Sequence, residues 1–207
     1  MSNASDRISN GFVDVSILRT HVDVVLLKCT EVKMNSTVLE AIARRSSIRQ
    51  YTAEPVTREQ LLVLLKAAMA APSAMNKQPW EFVAIDDKAT MDALADVLPY
   101  AKMLHQAGGA IVVCADTTKC CAAPGESLWI QDCAAATQNV LLAAEAIDLG
   151  AVWTAVYPNP ALVQSVQKIL GMENPITPFC VIPIGHPATA SSPKDKFDAN
   201  RIHWNRY

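Results

Sequence analysis

The chain has 207 residues, 51% of them hydrophobic, with a formal net charge of −2 and a pI near 6.1. That length and apolar content suffice for one well-buried core. The charge is close to balance with no long basic run, so neither nucleic acid nor an anionic membrane is an expected partner, and no apolar stretch of about 18 residues marks a membrane span.

Residues 1–33 differ from the rest and read as an appendage to a single domain over 34–207. Ser2-Asn3-Ala4 resembles the remnant of a cleaved tag. Val13 to Val32 contains a brief apolar run without a positive leader or a small-residue cleavage site, so no signal peptide is expected. Met34 is a candidate start of the functional domain.

From Met34 onward, helical patterns alternate with short apolar strands. Thr37-x-x-Glu40 is a capping box for a helix to about Arg45, with Val38, Leu39 and Ile42 on one face. Thr57-x-x-Gln60 opens a second helix, with Leu61, Leu62, Leu64, Leu65, Ala68 and Met69 at helical spacing and Pro72 as the stop. Trp80–Ile85 reads as a strand. Helical patterns follow around 88–98 and 100–107, then a fully buried strand over Ala110–Ala115 and a loop over 117–125. Trp129 to Leu149 is a long, alanine-rich helix, either a dimer seam or an ordinary buried helix, and Gly150 is its expected end. Val152–Val156 is the third strand. Asn159-Pro160 opens a helix to Leu170, closed by Gly171. Phe179–Ile184 is the fourth strand. The tail from Gly185 to Tyr207 has no period. The whole reads as α+β, a sheet with helices on its faces.

The chain has six cysteines. Cys114, Cys133 and Cys180 lie in apolar or helical patterns and read as small core residues. Cys120 and Cys121 are adjacent in a loop. No cysteine or histidine spacing suits zinc, so no metal site is expected, and a reducing, cytoplasmic setting fits best.

Two clusters carry chemistry. Arg44-Arg-Ser-Ser-Ile-Arg-Gln-Tyr51 supplies guanidiniums and hydroxyls, which suit a phosphate through planar, bidentate hydrogen bonds. Taken alone, these cations also suit a helix C-terminus. Ala71-Pro-Ser-Ala-Met-Asn-Lys-Gln-Pro-Trp80 places hydroxyl and amide groups on a loop between prolines, which suits the polar edge of a flat heterocycle. Simple turn chemistry explains part of the same segment. Together they suggest a phosphorylated aromatic cofactor. No nucleophile elbow, P-loop or GxGxxG is present.

Arg45-x-Ser47-Ile48-Arg49, then Pro55-Val56, then Ala71-Pro72-Ser73-x-x-Asn76-x-Gln78-Pro79-Trp80 resembles the nitroreductase family of FMN-dependent oxidoreductases. The resemblance spans about residues 35 to 200. It implies a three-layer α+β fold around a central mixed, mainly antiparallel sheet, in an intertwined homodimer. Arg45, Ser47 and Arg49 would bind the FMN phosphate and ribityl chain, with Ser46 at a position that is often Arg or His. The loop bearing Pro72, Ser73, Asn76 and Gln78 would cross the dimer interface to the isoalloxazine edge. Trp153 and Thr154 would lie beneath the flavin and offer backbone contacts. Lys194 or, preferably, Lys196 would complete the phosphate site after Gly185-His-Pro187. NADH or NADPH would be the transient donor, and a nitroaromatic, quinone or similar small molecule the acceptor, in alternating half-reactions. The flavin does the hard chemistry in such enzymes, so no side chain is assigned as catalytic. The alternatives are a flavin carrier or sensor without turnover, and a dehalogenating or flavin-modifying branch of the fold.

Overall fold

The computed structural model describes residues 37–52, 54–120, 128–190 and 195–207. The expectations for residues 1–33, Cys121 and Lys194 fall outside them. The elements are α1 (Thr37–Arg44), α2 (Arg58–Met69), β1 (Trp80–Ile85), α3 (Lys88–Val97), β2 (Gly109–Asp116), α4 (Trp129–Ala146), β3 (Gly150–Ala151), β4 (Thr154–Ala155), α5 (Pro160–Leu170) and β5 (Ile176–Gly185).

Strand β2 is buried along its whole length, as expected for a β-branched run shielded on both faces. It pairs antiparallel with β1 on one side and β5 on the other. The strand order is β1-β2-β5-β3, and β4 also pairs with β5. Side chains alternate across the pleat, so β2 serves two cores. Ile111, Val113 and Ala115 pack with Leu61, Leu64 and Ala68 of α2 and with Cys133, Ala136, Val140 and Ala144 of α4. Ala110, Val112 and Cys114 pack with Met91, Leu94 and Ala95 of α3 and with Val166 of α5. The result is a sheet between two helical layers. All strand pairs named here are antiparallel; a parallel bridge joins Ser47 to Ala151.

Local signals formed where they were read. The Thr57 hydroxyl accepts from the Gln60 N–H at 3.2 Å, and the Gln60 side chain accepts from the Thr57 N–H at 2.9 Å. Asn159 caps α5, and Gly171 closes it at φ 63°. Cys114, Cys133 and Cys180 are buried. Burial pushes the Cys114 thiol up to about 12, so it remains a protonated core group.

Four local expectations are corrected. Thr37 is already helical, so it does not act as the cap of the box with Glu40. The helical pattern at 100–107 is one short 3-10 turn, Lys102–His105. Helix α4 ends at Ala146, ahead of the end expected at Gly150, and Asp148 takes a left-handed φ of 59° beyond it; an Asp tolerates that conformation better than most residues. The third strand, expected over Val152–Val156, is two short pieces in one continuous register against β5. Val152 stands opposite Pro183 and donates to its carbonyl at 3.3 Å. Proline has no N–H to return the bond, so the ladder breaks at that pair.

Candidate functional site

After α1 the chain runs beside the sheet rather than away from it. The Ile48 N–H donates to the Ala151 carbonyl at 3.1 Å, and the Thr52 N–H to the His186 carbonyl at 2.9 Å. Between them the buried Tyr51 hydroxyl donates to Ile48 O at 2.7 Å and Pro183 O at 3.1 Å. Burial raises the Tyr51 phenol against the opposing pull of Arg49, so it stays a donor. The ring lies over Gly185, where a Cβ would meet it at 2.8 Å, and Ile48 fills the space over Gly150 in the same manner. Two glycines thus let this segment lie flush on β3 and β5.

The polar side chains of that segment differ in what holds them. Arg44 pairs with Glu145 of α4 at 3.2 Å. Arg45 is half-buried and has no ion pair among the described residues. Arg49 is exposed, with one long contact of 3.5 Å to the Ser47 carbonyl. Ser47 is exposed, and the Ser46 hydroxyl is buried with no partner among the described residues. Among the described residues, the arrangement is two guanidiniums without carboxylate partners, an exposed hydroxyl and an orphaned hydroxyl on one pinned strip. Such a strip suits an anion that accepts several hydrogen bonds, as a phosphate monoester does.

The loop between α2 and β1 is built differently. It contains a 3-10 turn at Ala74–Asn76. Met75, Asn76 and Gln78 have φ of 50°, 54° and 48°, which is disfavoured for side-chain-bearing residues. The Ser73 hydroxyl accepts from the Gln78 N–H at 2.9 Å, and the Asp132 carboxylate of α4 accepts from the Ala74 N–H at 2.8 Å. The Pro79 carbonyl accepts from the Asp116 N–H at 2.8 Å. Pro72, Asn76 and Gln78 are exposed. The Gln78 amide donates to Asn76 Oδ1 at 3.2 Å, and no hydrogen bond engages the Asn76 amine among the described residues.

Trp153 is half-buried, edge-on to Phe179 at 5.5 Å. Thr154 is 6% exposed, and its hydroxyl donates to Val181 O at 2.6 Å, so only its backbone is left to offer. Lys196 is exposed in the tail; among the described residues no ion pair or hydrogen bond joins it to the 45–49 strip. No group of side chains among the described residues could hold a metal ion. The residue that the sequence did not single out is Asp132. In the first turn of a helix an Asp looks like ordinary complement to the dipole, and nothing local shows that it reaches back to Ala74.

The two clusters sit at opposite ends of α4. The loop is tied to Asp132, and α1 is tied to Glu145, thirteen residues further along. At 1.5 Å per residue that is about 20 Å.

A family model described as the nitroreductase family matches residues 42–186. A Methanothermobacter thermautotrophicus protein, assigned by name as an NADH dehydrogenase/NAD(P)H nitroreductase, is 41% identical over 170 residues, which is 82% of this chain and 87% of that protein. A solved structure from Bacteroides thetaiotaomicron with the same assignment is 45% identical, with a TM-score of 0.79, over 84% of this chain and all of that one. A Desulfovibrio desulfuricans nitroreductase solved in complex with FMN is 31% identical, with a TM-score of 0.70, over 84% of this chain and 99% of that one. The fold is therefore shared with these structures, and the chain belongs to the nitroreductase family.

Proposed function

We propose that this protein is a homodimeric, cytoplasmic, NAD(P)H-dependent flavin oxidoreductase whose two FMN sites are each assembled from two chains. The observation that carries the reading is the placement of the two clusters at opposite ends of α4. A two-fold axis that sets α4 antiparallel to its copy brings the loop of one chain beside the strip of the other, and does so twice. Exposed apolar side chains flank this helix: Ile42 on α1, and Leu62, Val63 and Met69 on α2. Such a face calls for cover by another surface. An obligate interface of this kind buries above about 2,000 Å². Among the described residues no helix is long and apolar enough to cross a membrane.

The strip fits the phosphate of FMN. Among the described residues Arg45 and Arg49 have no carboxylate partners, and Ser46 and Ser47 stand between them in the chain. Lys196, and Lys194 beside it in sequence, would add charge from the tail. Pro72, Ser73, Asn76 and Gln78 of the partner chain would border the ring, and the backbone at Trp153 and Thr154 would lie beneath it. FMN held there would supply two-electron redox chemistry between NAD(P)H and a nitroaromatic, quinone or similar acceptor, in alternate half-reactions. The protein's part is to bind, orient and electrostatically bias that group. The test is direct. The purified protein should show oxidised-flavin absorbance that bleaches with NADH or NADPH and returns on adding a nitroaromatic or quinone. Absorbance that persists through excess NAD(P)H would leave a carrier instead.

Asn76 should tune the redox step more than the fold. Its amine is a donor on an exposed residue, and a donor beside a ring that gains negative charge favours the reduced form. Hydrogen bonds to charged groups contribute about 1.5–3 kcal/mol, or ~30–65 mV for a two-electron couple. Asn76→Ala should lower the midpoint potential by that order and leave the melting temperature near wild type. A lowered melting temperature with an unchanged potential would make Asn76 a structural turn residue only.

A further inference from the structure

We infer that Asp132 is a positioning residue for the cofactor loop, holding Ala74 so that Asn76 and Gln78 are presented at a fixed height and angle. The inference rests on the proposed role of that loop at the flavin. Asp132 is 5% exposed. One carboxylate oxygen accepts from the Ala74 N–H at 2.8 Å, and the other is buried without a partner among the described residues. Burying a carboxylate with so few hydrogen bonds is unfavourable, so something else must account for its place. Core packing does not, because the residues that Asp132 helps to present, Asn76, Lys77 and Gln78, are exposed. That segment is also strained, with three non-glycine residues at positive φ. An exposed loop has no packing reason to keep such a conformation, and conformations of this kind persist only where the surroundings enforce them.

The enforcement is a clamp at two ends. Ala74 opens the 3-10 turn, and its N–H has no partner inside that turn; Asp132 supplies one. At the exit, the Ser73 hydroxyl takes the Gln78 N–H. Releasing Ala74 frees the turn to relax its positive φ angles, and Asn76 and Gln78 then lose their common orientation. Asp132 touches neither the cofactor nor the reacting atoms in this scheme. It acts through the loop.

The test compares Asp132→Ala, Asp132→Asn and Asn139→Ala. Asp132→Asn keeps a carbonyl oxygen for Ala74 and changes only the unpartnered position. Asn139 is a half-buried residue of the same helix whose amide donates to Ala67 O at 2.9 Å, so its loss reports general damage to α4. Two readouts are taken: hydrogen exchange of the Ala74 and Gln78 amides in FMN-free protein, and FMN affinity by quenching of flavin fluorescence. Asp132→Ala should speed exchange at both amides and weaken FMN by about 10-fold. Asp132→Asn should restore both to near wild type, and Asn139→Ala should lower the melting temperature without either change. Unchanged FMN affinity in Asp132→Ala overturns the inference, as does an equal loss in Asn139→Ala. Measuring Asn76→Ala alongside separates the two levels. If that variant weakens or retunes FMN while Asp132→Ala is silent, the loop keeps its role and Asp132 alone is misassigned. If both are silent, the role of the loop falls with it.

Discussion

Arg45→Ala should purify largely colourless. Arg45 is half-buried on a strip tied to β3 through the Ile48 N–H, to β5 through the Tyr51 hydroxyl, and to His186, next after β5, through the Thr52 N–H, so its guanidinium is presented from a fixed base. It has no carboxylate partner among the described residues, and its charge is therefore available to an anion. Loss of one hydrogen bond to a charged phosphate costs about 1.5–3 kcal/mol, which is roughly 10- to 150-fold in affinity. Arg44→Ala is the matched control. Arg44 is engaged with Glu145 on a partly exposed surface, and such pairs contribute little, so that variant should keep its flavin. Flavin content of the purified proteins and FMN titration of the apo forms are the measurements. Full occupancy in Arg45→Ala, or equal loss in the two variants, would remove Arg45 from the phosphate site.

Gly150→Ala should damage the same strip from below. An added Cβ would stand 2.6 Å from Ile48 Cγ2 and 2.8 Å from Ile48 Cβ, closer than real contacts allow. Ile48 has little room to retreat, because its N–H is bonded to Ala151 and its carbonyl to the Tyr51 hydroxyl. Overpacking of this kind costs about 1–3 kcal/mol. For a chain of this size that is a fall of roughly 2–12 °C in melting temperature. The displaced strip carries Ser47 and Arg49 with it, so FMN affinity should fall as well. Ile48→Ala in the Gly150→Ala background removes the two Cγ contacts and should recover part of both losses. A melting temperature within a degree of wild type would mean that Ile48 does not rest on Gly150.

These two variants also mark what could be read from the sequence. The strip and the loop stand out in the sequence as candidate chemistry because their residues are contiguous: Arg45, Ser47 and Arg49 in one run, and Pro72, Ser73, Asn76 and Gln78 in another. The reciprocal Thr57–Gln60 cap and the Asn159-Pro160 and Gly171 ends of α5 were legible for the same reason, since each is decided within one turn of helix. What was not legible depends on partners far along the chain. Gly150 looked like a helix terminator because Asp148, which takes the left-handed φ beyond α4, carries no stronger signal than an Asp in any loop. The need for glycine at 150 comes from Ile48, about a hundred residues earlier. The break in the third strand comes from Pro183, opposite Val152. Asp132 reaches Ala74 across 58 positions, and no local pattern announces such a contact.

The central claim is that each FMN site is shared between two chains, and subunit complementation tests it most directly. Arg45→Ala and Asn76→Ala chains are prepared with different affinity tags, co-expressed, and the mixed dimers isolated and titrated with FMN. With shared sites, one site of the mixed dimer combines both lesions, and the other combines the intact strip of the Asn76→Ala chain with the intact loop of the Arg45→Ala chain. One FMN per mixed dimer should then bind with wild-type affinity and wild-type potential. If every site in the mixed dimer shows one lesion or the other and none is wild type, each site lies within a single chain and the shared-site account is wrong.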